Sequence, residues 1–286
     1  MLSERIALVT GGGRGIGAAI ATAFARTGAR LVITGRSASS LDEQLRLLRA
    51  EQPEDTDPAR VLAVTADVSK PTDVDRLFAR IHEEYGPLDV LVANAGVQGP
   101  IGPLEDAEPE DFAAAIAVNL TGTWLCMRAA IADMKPRRAG KIITLSGGGA
   151  TGPRPRFAAY AASKVAVVRL TETAADELRA WNIDVNAIAP GAVNTAMLDD
   201  VLAAGARAGE EFAAAERRAR DGGTPPDRAA ELAVFLASSH SDGITGKLLS
   251  AVWDPWQDDA FAARLRAEAD FCTLRRVDGK NFGPIG

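Results

Sequence analysis

The stretch TGGGRGIG, residues 10–17, stands between a short apolar run, RIALVT at 5–10, and an alanine-rich segment of helical period. A strand, a glycine turn and a helix in this order bring free backbone N–H groups to the positive end of a helix, where a pyrophosphate can bind. The spacing of Gly11, Gly15 and Gly17 differs from the common G-x-G-x-x-G fingerprint. The stretch therefore predicts a dinucleotide-binding α/β fold of a particular branch.

The rest of the chain repeats this alternation of short β-branched runs with longer helical segments. The predicted strands cover 5–10, 30–34, 60–65, 88–94, 140–146, 183–190 and 246–252. The predicted helices cover 15–28, 38–51, 71–85, 109–134, 158–180 and 226–237. Such a pattern predicts one doubly wound Rossmann-type domain over 1–252, an α/β fold with about seven parallel strands and helices on both faces of the sheet.

Two regions interrupt the alternation. Residues 195–225 combine a weak helical pattern with four glycines and follow the sixth strand. Because open α/β sheets bind ligands at the carboxyl ends of their strands, we expect a substrate lid here, the alternative being a solvated helical excursion. The extension 253–286 carries Trp253, Trp256, Phe261, Phe271 and Phe282 among charged residues. It is expected to pack on its own subunit or on a neighbouring one.

Composition excludes several classes of function. The 286 residues carry a net charge of −6 with no long block of like charge, which argues against a nucleic-acid or membrane surface. Cys126 and Cys272 show no metal or redox spacing, and a cytoplasmic location is expected. His82 and His240, the two histidines, are too isolated to predict a metal site.

The end of the second strand bears on cofactor choice. Sites selective for NAD place a carboxylate there for the ribose 2′-OH, whereas VITGRS at 32–37 has no acid. Arg36, and Arg14 inside the glycine turn, instead offer guanidinium groups suited to a 2′-phosphate. The sequence therefore favours NADP(H) over NAD(H), although either arginine alone is also compatible with a solvated loop residue.

Tyr160 and Lys164 stand one helical turn apart and therefore share a face of the predicted helix 158–180. Reduction of a carbonyl by a hydride develops alkoxide charge, which a nearby proton donor stabilises. An unperturbed tyrosine has a pKa of about 10, and a neighbouring ammonium is expected to lower it. The alternative is a core tyrosine beside a surface lysine.

In combination these motifs resemble the short-chain dehydrogenase/reductase family over roughly residues 4–250. The ordered matches are Thr10-Gly11-x-x-x-Gly15-Ile16-Gly17, Asp67-Val68, Asn94-Ala95-Gly96, Asn119, Tyr160-x-x-x-Lys164, and Pro190-Gly191 with Thr195. The resemblance implies that Asp67 and Val68 border the adenine and that Asn94, Ala95 and Gly96 line the cofactor cleft. It also implies the remaining roles: the nicotinamide contacts Pro190, Gly191, Val193 and Thr195, Lys164 binds the nicotinamide ribose, and Asn119 holds a water that relays protons through Lys164.

One family residue is missing. The serine that usually stands 13 residues before the tyrosine is replaced by Gly147, with Ser146 one place away. Three accounts stay open: a loop shift that lets Ser146 or Thr151 reach the substrate, donation by the N–H groups of residues 147–149, or loss of most activity. We expect an active enzyme, because Tyr160, Lys164 and Asn119 are all present.

The leading prediction is an NADP(H)-dependent oxidoreductase that interconverts a secondary alcohol and a ketone, with Tyr160 as the acid/base. Arg154 and Arg156, on the loop before Tyr160, are weak candidates for binding an anionic substrate. The alternatives are a catalytically degenerate NADP(H)-binding regulatory protein and a redox-neutral epimerase that retains its cofactor. The family resemblance also implies a homodimer or homotetramer formed through helices 109–134 and 158–180.

Overall fold

The computed structural model describes residues 2–51 and 60–277, so Phe282 lies outside the described residues. Its centre is a seven-stranded sheet of order β3-β2-β1-β4-β5-β6-β7, in which every neighbouring pair is parallel. The strands are β1 Ile6–Thr10, β2 Arg30–Gly35, β3 Val61–Thr65, β4 Val90–Ala93, β5 Gly140–Leu145, β6 Ile183–Ala189 and β7 Leu248–Ser250. The central strands are buried throughout because helices cover both faces, which explains their continuous apolar runs.

The helices divide between the two faces of the sheet. Their bounds are α1 Gly15–Arg26, α2 Ala38–Glu51, α3 Pro71–Glu84, α4 Pro109–Ile116, α5 Gly122–Arg137, α6 Ala158–Leu178, α7 Ala196–Ala204, α8 Glu210–Asp221, α9 Pro226–Ala237 and α10 Asp259–Ala267. Apolar residues of α1, α2, α9 and α10 form the core on one face, and those of α3, α5 and α6 form the core on the other. The doubly wound architecture predicted from the sequence is confirmed.

The strand order reverses between β1 and β4, so the connections that leave these strands diverge to opposite faces. In open parallel sheets this switch point opens a crevice at the carboxyl edge. Here the crevice lies between Thr10, at the end of β1, and Ala93, at the end of β4. The fold thus positions the glycine turn and the segment after β4 on two sides of one cleft.

The segment predicted as one helix over 109–134 is two helices joined by a π-helical turn, Ala117–Thr121, and it continues to Arg137. Taken together, Pro109–Arg137 is long and apolar enough to cross a membrane by length and composition. Leu125 and Cys126 of this segment pack in the core beneath the sheet, as the core helix of a soluble protein also would. The π turn accommodates Asn119, whose surroundings are described below.

The chain after β7 folds back on its own subunit. Trp256 and Leu265 are buried in the core beside α9. The Lys247 ammonium, 3% exposed, donates hydrogen bonds to the carbonyl oxygens of Glu268, Ala269 and Phe271 at 2.6–3.0 Å. The N–H of Leu248 donates to the carbonyl of Cys272, so the extension also covers the free edge of β7.

Candidate functional site

The glycine turn between β1 and α1 is shaped by two positions that exclude a side chain. Gly11 has a φ of +65°, a left-handed conformation that glycine adopts without strain. A methyl group at Gly17 would overlap the carbonyl oxygen of Gly11 and the Asn94 amide. Without these side chains the backbone packs closely on β4 and leaves the start of α1 open, which is the geometry needed for a bound pyrophosphate.

Thr10 and Asn94 fasten this turn to β4. The Thr10 hydroxyl accepts hydrogen bonds from the N–H groups of Asn94 and Ala95, both at 3.0 Å. In return the Asn94 side-chain amide donates to the carbonyl oxygens of Thr10 at 2.9 Å and Gly11 at 3.2 Å. Asn94 therefore fixes the position of the glycine turn as well as lining the cleft.

A cavity of about 370 Å³ opens at this edge of the sheet. It brings together most of the residues predicted to bind the cofactor: Gly11, Arg14, Gly15, Ile16, Gly17, Arg36, Asp67, Val68, Asn94, Ala95, Gly96 and Thr195. The lining also includes residues that sequence reasoning did not single out: Ser37, Ser40, Leu41, Val118, Met197 and Asp200. Of these, Ser37 is the residue that the sequence could have indicated, because it directly follows Arg36 beyond the end of β2.

One end of the cavity is rich in polar groups. Arg14, Arg36 and Ser37 are exposed there, and the Ser37 hydroxyl lies 3.1 Å from that of Ser40. Burial opposes ionisation of Asp67, but hydrogen bonds from Ser69 and the charges of nearby cations outweigh it and lower the pKa of this carboxyl. The Asp67 side chain is thus held as an anion that accepts from the N–H and hydroxyl of Ser69.

Of the four residues after β6 that are predicted to contact the nicotinamide, one lines the cavity. Thr195 lines the cavity and caps α7, its hydroxyl accepting from the N–H of Met197 at 3.3 Å. Pro190, Gly191 and Val193 are not among the lining residues; Pro190 is buried, and Val193 forms a β-bridge with Thr224. These three residues shape the connection that presents Thr195 to the cavity.

Lys164 and Tyr160 are not among the residues that line the cavity, but the Lys164 ammonium lies beside Gly96, which does. This ammonium donates to the carbonyl of Leu145 at 2.9 Å, and a methyl group on Gly96 would lie 3.6 Å from it. The side chain is buried on α6, and this desolvation lowers its pKa to about 8. The Lys164 ammonium lies 5.6 Å from the centre of the Tyr160 ring.

Tyr160 is buried beneath the α7–α8 segment. Its ring packs in a cluster with Phe157 of the preceding loop and with Leu198, Val201 and Ala215 of the two helices. Burial raises the pKa of the Tyr160 phenol, and the positive charge of Arg154 opposes this rise. In the ligand-free protein the net direction is therefore opposite to the lowering expected from Lys164.

Asn119 is fully buried in the π turn and its carboxamide is fully engaged. It accepts from the N–H of Val97 at 2.8 Å and donates to the Val97 carbonyl and the Ser163 hydroxyl, each at 2.9 Å. The Ser163 hydroxyl in turn donates to the carbonyl of Tyr160. The Asn119 side chain thus connects the segment after β4 to the helix that carries Tyr160.

The place of the missing serine is filled by the tyrosine itself. A methyl group at Gly147 would overlap the Tyr160 hydroxyl oxygen and lie 3.1 Å from two ring carbons. Ser146 is buried, and its N–H donates to the Ile188 carbonyl, which continues the pairing of β5 with β6 and opposes a shift of the loop at this residue. Across the described residues, no acceptor is found for the N–H groups of 147–149.

Arg154 is already paired within the chain. Its guanidinium donates two hydrogen bonds to the Glu211 carboxylate of α8, at 3.0 and 3.1 Å, and a third to the Gln98 side chain at 3.4 Å. This pairing argues against the expected contact between Arg154 and an anionic substrate. Arg156 has a φ of +73°, is exposed, and runs alongside Gly209 at the start of α8.

Metal-ligating side chains do not gather at this site. Within residues 2–51 and 60–277 there is no group of three or more His, Cys, Asp or Glu side chains that could hold a metal ion. The residues that line the cleft instead offer glycine N–H groups, two arginines, the hydroxyls of Ser37, Ser40 and Thr195, the Asn94 amide, and the carboxylates of Asp67 and Asp200. The N–H groups of the glycine turn and the two arginines are suited to the phosphate groups of a dinucleotide, and the absence of a Cβ at Gly11 and Gly17 lets the turn pack against the segment after β4.

Sequence comparison assigns most of the chain to one family. The profile of the family described as short chain dehydrogenase matches residues 5–205. A short-chain type dehydrogenase/reductase of Picea abies is 34% identical over 87% of this chain and 91% of its own length. The cis-4-hydroxycyclohexanecarboxylate dehydrogenase of Sinomonas cyclohexanicum is 36% identical over 87% of this chain and 95% of its own length.

Solved structures give the same assignment. Levodione reductase superposes with a TM-score of 0.80 at 26% identity, covering 90% of this chain and 98% of its own. NAD⁺-bound xylitol dehydrogenase gives 0.78 at 27%, covering 87% and 98% respectively. Actinorhodin polyketide ketoreductase with NADPH gives 0.79 at 30%, covering 87% and 97%. The chain belongs to the short-chain dehydrogenase/reductase family, whose members are oxidoreductases that act on CH–OH groups with NAD(P)(H).

Proposed function

We propose that this protein is an NADP(H)-dependent oxidoreductase that interconverts an uncharged secondary alcohol and its ketone, with Tyr160 as the acid/base. The observation that carries the proposal is the layout of one cleft. Exposed guanidinium groups line the cleft at Arg14 and Arg36, and the Lys164 ammonium lies beside Gly96 of the same cleft, 5.6 Å from the centre of the Tyr160 ring.

The preference for NADP(H) rests on the charge at the end of β2. Arg36, Arg14 and the Ser37 hydroxyl offer donors to a 2′-phosphate, and no acid stands at the end of β2 to bind a 2′-OH. Solved relatives carry either cofactor, NAD⁺ in xylitol dehydrogenase and NADPH in the ketoreductase. The choice in this chain is therefore argued from its own residues. When bound, the nicotinamide supplies the hydride.

Side chains of this protein supply the proton and orient the cofactor. The Tyr160 hydroxyl donates a proton to the developing alkoxide in reduction and accepts one in oxidation. Lys164, fixed by the Leu145 carbonyl, orients the ribose hydroxyls and replenishes the phenol proton. Asn119 keeps the Tyr160 helix in register with the segment after β4, and because its carboxamide is fully engaged, the relay water is proposed at its backbone carbonyl instead. The unpaired N–H groups of 147–149 are the proposed donors to the substrate oxygen, ahead of Ser146.

The substrate class follows from the surroundings of Tyr160. The α7–α8 segment covers the phenol with apolar side chains, including Leu198, Val201 and Phe212, so we propose that 195–225 is a lid that moves aside for substrate. Because Glu211 already neutralises Arg154, the closed pocket offers no free cation at that point for an anionic substrate. The relative from Sinomonas cyclohexanicum is named for an alicyclic alcohol that also carries a carboxylate, so the ring of that compound, but not its charge, fits this pocket. Apolar cyclic ketones are therefore the first compounds to test.

The decisive experiment replaces Tyr160 by Phe. NADPH oxidation is followed with a panel of cyclic ketones and diketones, and NADPH affinity is measured by fluorescence titration. We expect turnover to fall at least about 100-fold while NADPH still binds, since general acid catalysis contributes about that factor or more. Tyr85→Phe, at the other tyrosine of the chain, is the matched control and keeps full turnover.

The alternatives give different outcomes in the same experiment. Unchanged turnover in Tyr160→Phe removes the phenol from the mechanism. NADPH binding by the unmodified protein without turnover of any carbonyl favours the regulatory protein. Cofactor that copurifies with the protein, together with epimerisation that needs no added nicotinamide, favours the epimerase.

Cofactor selection has its own test. Arg36→Ala is expected to raise the KM for NADPH and leave the KM for NADH nearly unchanged, because only NADPH carries the 2′-phosphate. Arg46→Ala, at an exposed arginine on α2, is the control. Equal effects of Arg36→Ala on both cofactors would contradict the proposal.

The assembly is also a proposal. Trp124 on α5 and Val165 on α6 are 46% and 40% exposed, which leaves apolar side chains on the two helices expected to form a homodimer or homotetramer. Light scattering coupled to size-exclusion chromatography measures the mass directly.

A cytoplasmic location is proposed on cysteine usage, since Cys126 and Cys272 are both free thiols.

A further inference from the structure

We propose that Arg154 is a positioning residue for Tyr160, holding a positive charge against the phenol ring where this chain lacks the serine hydroxyl, and that Glu211 of the lid fixes its place. The inference rests on the proposed function for its catalytic meaning. Its geometry, however, is independent of any substrate.

The Arg154 guanidinium lies between the loop before Tyr160 and α8 of the proposed lid. It lies 3.9 Å from the centre of the Phe157 ring and 5.2 Å from the centre of the Tyr160 ring. The paired hydrogen bonds to Glu211 fix its plane, and its side chain is 13% exposed. A cation in this position interacts with the ring and, more strongly, with the phenolate.

The glycine run creates the space for this side chain. A methyl group at Gly148 would lie 3.5 Å from the Arg154 Cδ, and one at Gly149 would lie 3.2 Å from its Cβ. The Arg154 side chain therefore runs beside the glycines of 147–149. Gly147 itself lets the Tyr160 hydroxyl approach the backbone. Arg154 therefore packs against the same loop in which Gly147 replaces the serine expected from the family.

Three other charged groups bear on this arrangement. Lys164 approaches the Tyr160 ring from the same helix. Glu211, on α8, faces Arg154 and partly offsets its charge, and Arg218 on the same helix acts on Glu211. Burial lowers the pKa of Lys164 to about 8, whereas a guanidinium stays charged throughout the range in which phenols ionise. Arg154 is therefore the cation that still faces Tyr160 in alkaline solution.

This arrangement couples lid closure to the acid strength of Tyr160. With α8 docked, Glu211 holds the Arg154 guanidinium over the ring; with α8 displaced, that orienting contact is lost. Arg207, on the Gly205–Ala208 turn, also ties the lid down through the carbonyl of Ile101. Unlike Arg154, it makes no contact with the Tyr160 ring among the described ring contacts, which makes it a matched control.

The test is a spectrophotometric titration of Tyr160 in the ligand-free protein. The chain has two tyrosines, so Tyr85→Phe leaves Tyr160 as the sole source of the tyrosinate signal. In this background Arg154→Met is expected to move the titration midpoint to higher pH, and Arg154→Lys, which keeps a charge up to its own deprotonation, to move it less. Arg207→Gln, which loosens the lid but keeps the Arg154 charge, is expected to move the midpoint less than Arg154→Met does. Circular dichroism confirms folding at each pH.

Two results would overturn the proposal: an unchanged midpoint in Arg154→Met, or a shift in Arg207→Gln as large as that in Arg154→Met. Should Arg154→Met fail to fold, Arg154→Gln keeps a hydrogen bond to Glu211 without the charge and carries the same test. Because the titration needs no substrate, its outcome does not depend on whether the proposed activity exists.

Kinetics supply the second readout. Oxidation of an alcohol by NADP⁺ requires the phenolate, so its rate rises with pH as Tyr160 ionises. Arg154→Met is expected to move this profile to higher pH and to lower kcat/KM at neutral pH roughly 3- to 30-fold, the range given by loss of one cation–ring contact. A uniform loss of activity with an unmoved profile would assign Arg154 a purely structural role and reject the proposal.

Discussion

Gly17 and Gly147 both lack a side chain, but for different physical reasons. At Gly17 a methyl group would meet the chain's own backbone, the Gly11 carbonyl, in a turn built to approach a phosphate. At Gly147 it would meet the hydroxyl of Tyr160. The second glycine therefore makes room for the Tyr160 hydroxyl, the proposed acid/base, where relatives are expected to place a serine.

A substitution at Gly147 tests this reading. Gly147→Ala is expected to displace the Tyr160 hydroxyl and to lower kcat/KM about 100-fold, the cost typical of a misplacement of about 1 Å at a reacting group. Gly148→Ala is the matched control, because a methyl group there makes only ordinary contacts of 3.5 Å or more with Arg154. Steady-state kinetics of both variants measure the effect. Equal activity of Gly147→Ala and the parent would show that a methyl group at this position does not displace the Tyr160 hydroxyl.

Lys164 makes stability depend on pH. Its pKa is about 8 in the folded protein against an ordinary 10.5, so the folded state holds fewer protons than the unfolded state between these values. The buried ammonium therefore destabilises the ligand-free fold by roughly 3 kcal/mol below pH 8, and this cost disappears as the pH rises towards 10.5.

The corresponding experiment compares Lys164→Met with the parent. The variant is expected to be more stable in urea denaturation at pH 7, and the difference is expected to shrink at pH 10. A difference that stays constant across this range would show that Lys164 does not change its charge on unfolding. The comparison between variants cancels the other groups that titrate in the same range.

At the scale of elements, the connection from β6 to α7 joins sheet, cleft and lid. Thr195 ends the connection, lines the cavity and caps α7 through the N–H of Met197. Gly15 lies beside it, since a methyl group there would be 3.1 Å from the Thr195 Cγ2. The first helix of the proposed lid, α7, therefore begins at a residue that also lines the cavity.

Loss of this cap is expected to affect stability and binding together. Thr195→Ala removes the hydroxyl and should cost about 1 kcal/mol of stability, the usual effect of losing a helix N-cap. It should also raise the KM for NADPH, because Thr195 lines the cavity. Thr195→Ser keeps the cap and should retain both properties. Chemical denaturation and cofactor titration measure the two effects, and a loss shared equally by the Ser variant would contradict the assignment to the hydroxyl.

At the scale of the whole molecule, the extension after β7 completes the core. Glu172 on α6 accepts a hydrogen bond from the N–H of Leu274 at 2.8 Å and pairs with Arg275 at 3.1 Å. Lys247 binds three backbone carbonyls of the same extension. Two buried side chains of opposite charge, Glu172 on α6 and Lys247 directly before β7, thus bind the extension to the rest of the domain.

Removing the cationic anchor is expected to loosen the extension. Lys247→Met leaves three carbonyl oxygens without their charged donor and should cost about 3 kcal/mol, since hydrogen bonds to charged groups are among the stronger ones. Trypsin should then cleave near Arg275 faster than in the parent. Lys70→Met, at an exposed lysine, is the control. Unchanged denaturation and cleavage would show that the extension is anchored elsewhere.

Patterns in the sequence are enough to predict the fold and the family. Alternating β-branched and helical runs predict the seven strands to within two residues of their observed ends, because parallel strands buried on both faces need continuous apolar segments. The glycine turn and the ordered motifs led to a cleft that contains twelve of the predicted cofactor residues, from Gly11 to Thr195. Local patterns suffice for these features because each depends on residues close together in the chain.

The surroundings of Tyr160, in contrast, follow from contacts that appear only in the folded chain. The pairing of Arg154 with Glu211 joins residues 57 positions apart, and the overlap at Gly147 depends on where α6 packs against the end of β5. The same packing buries Tyr160 and reverses the direction expected for its pKa, because desolvation outweighs the charge of Arg154. Distances across elements and the loss of water are set by packing of the whole chain, and no local pattern of residues encodes them.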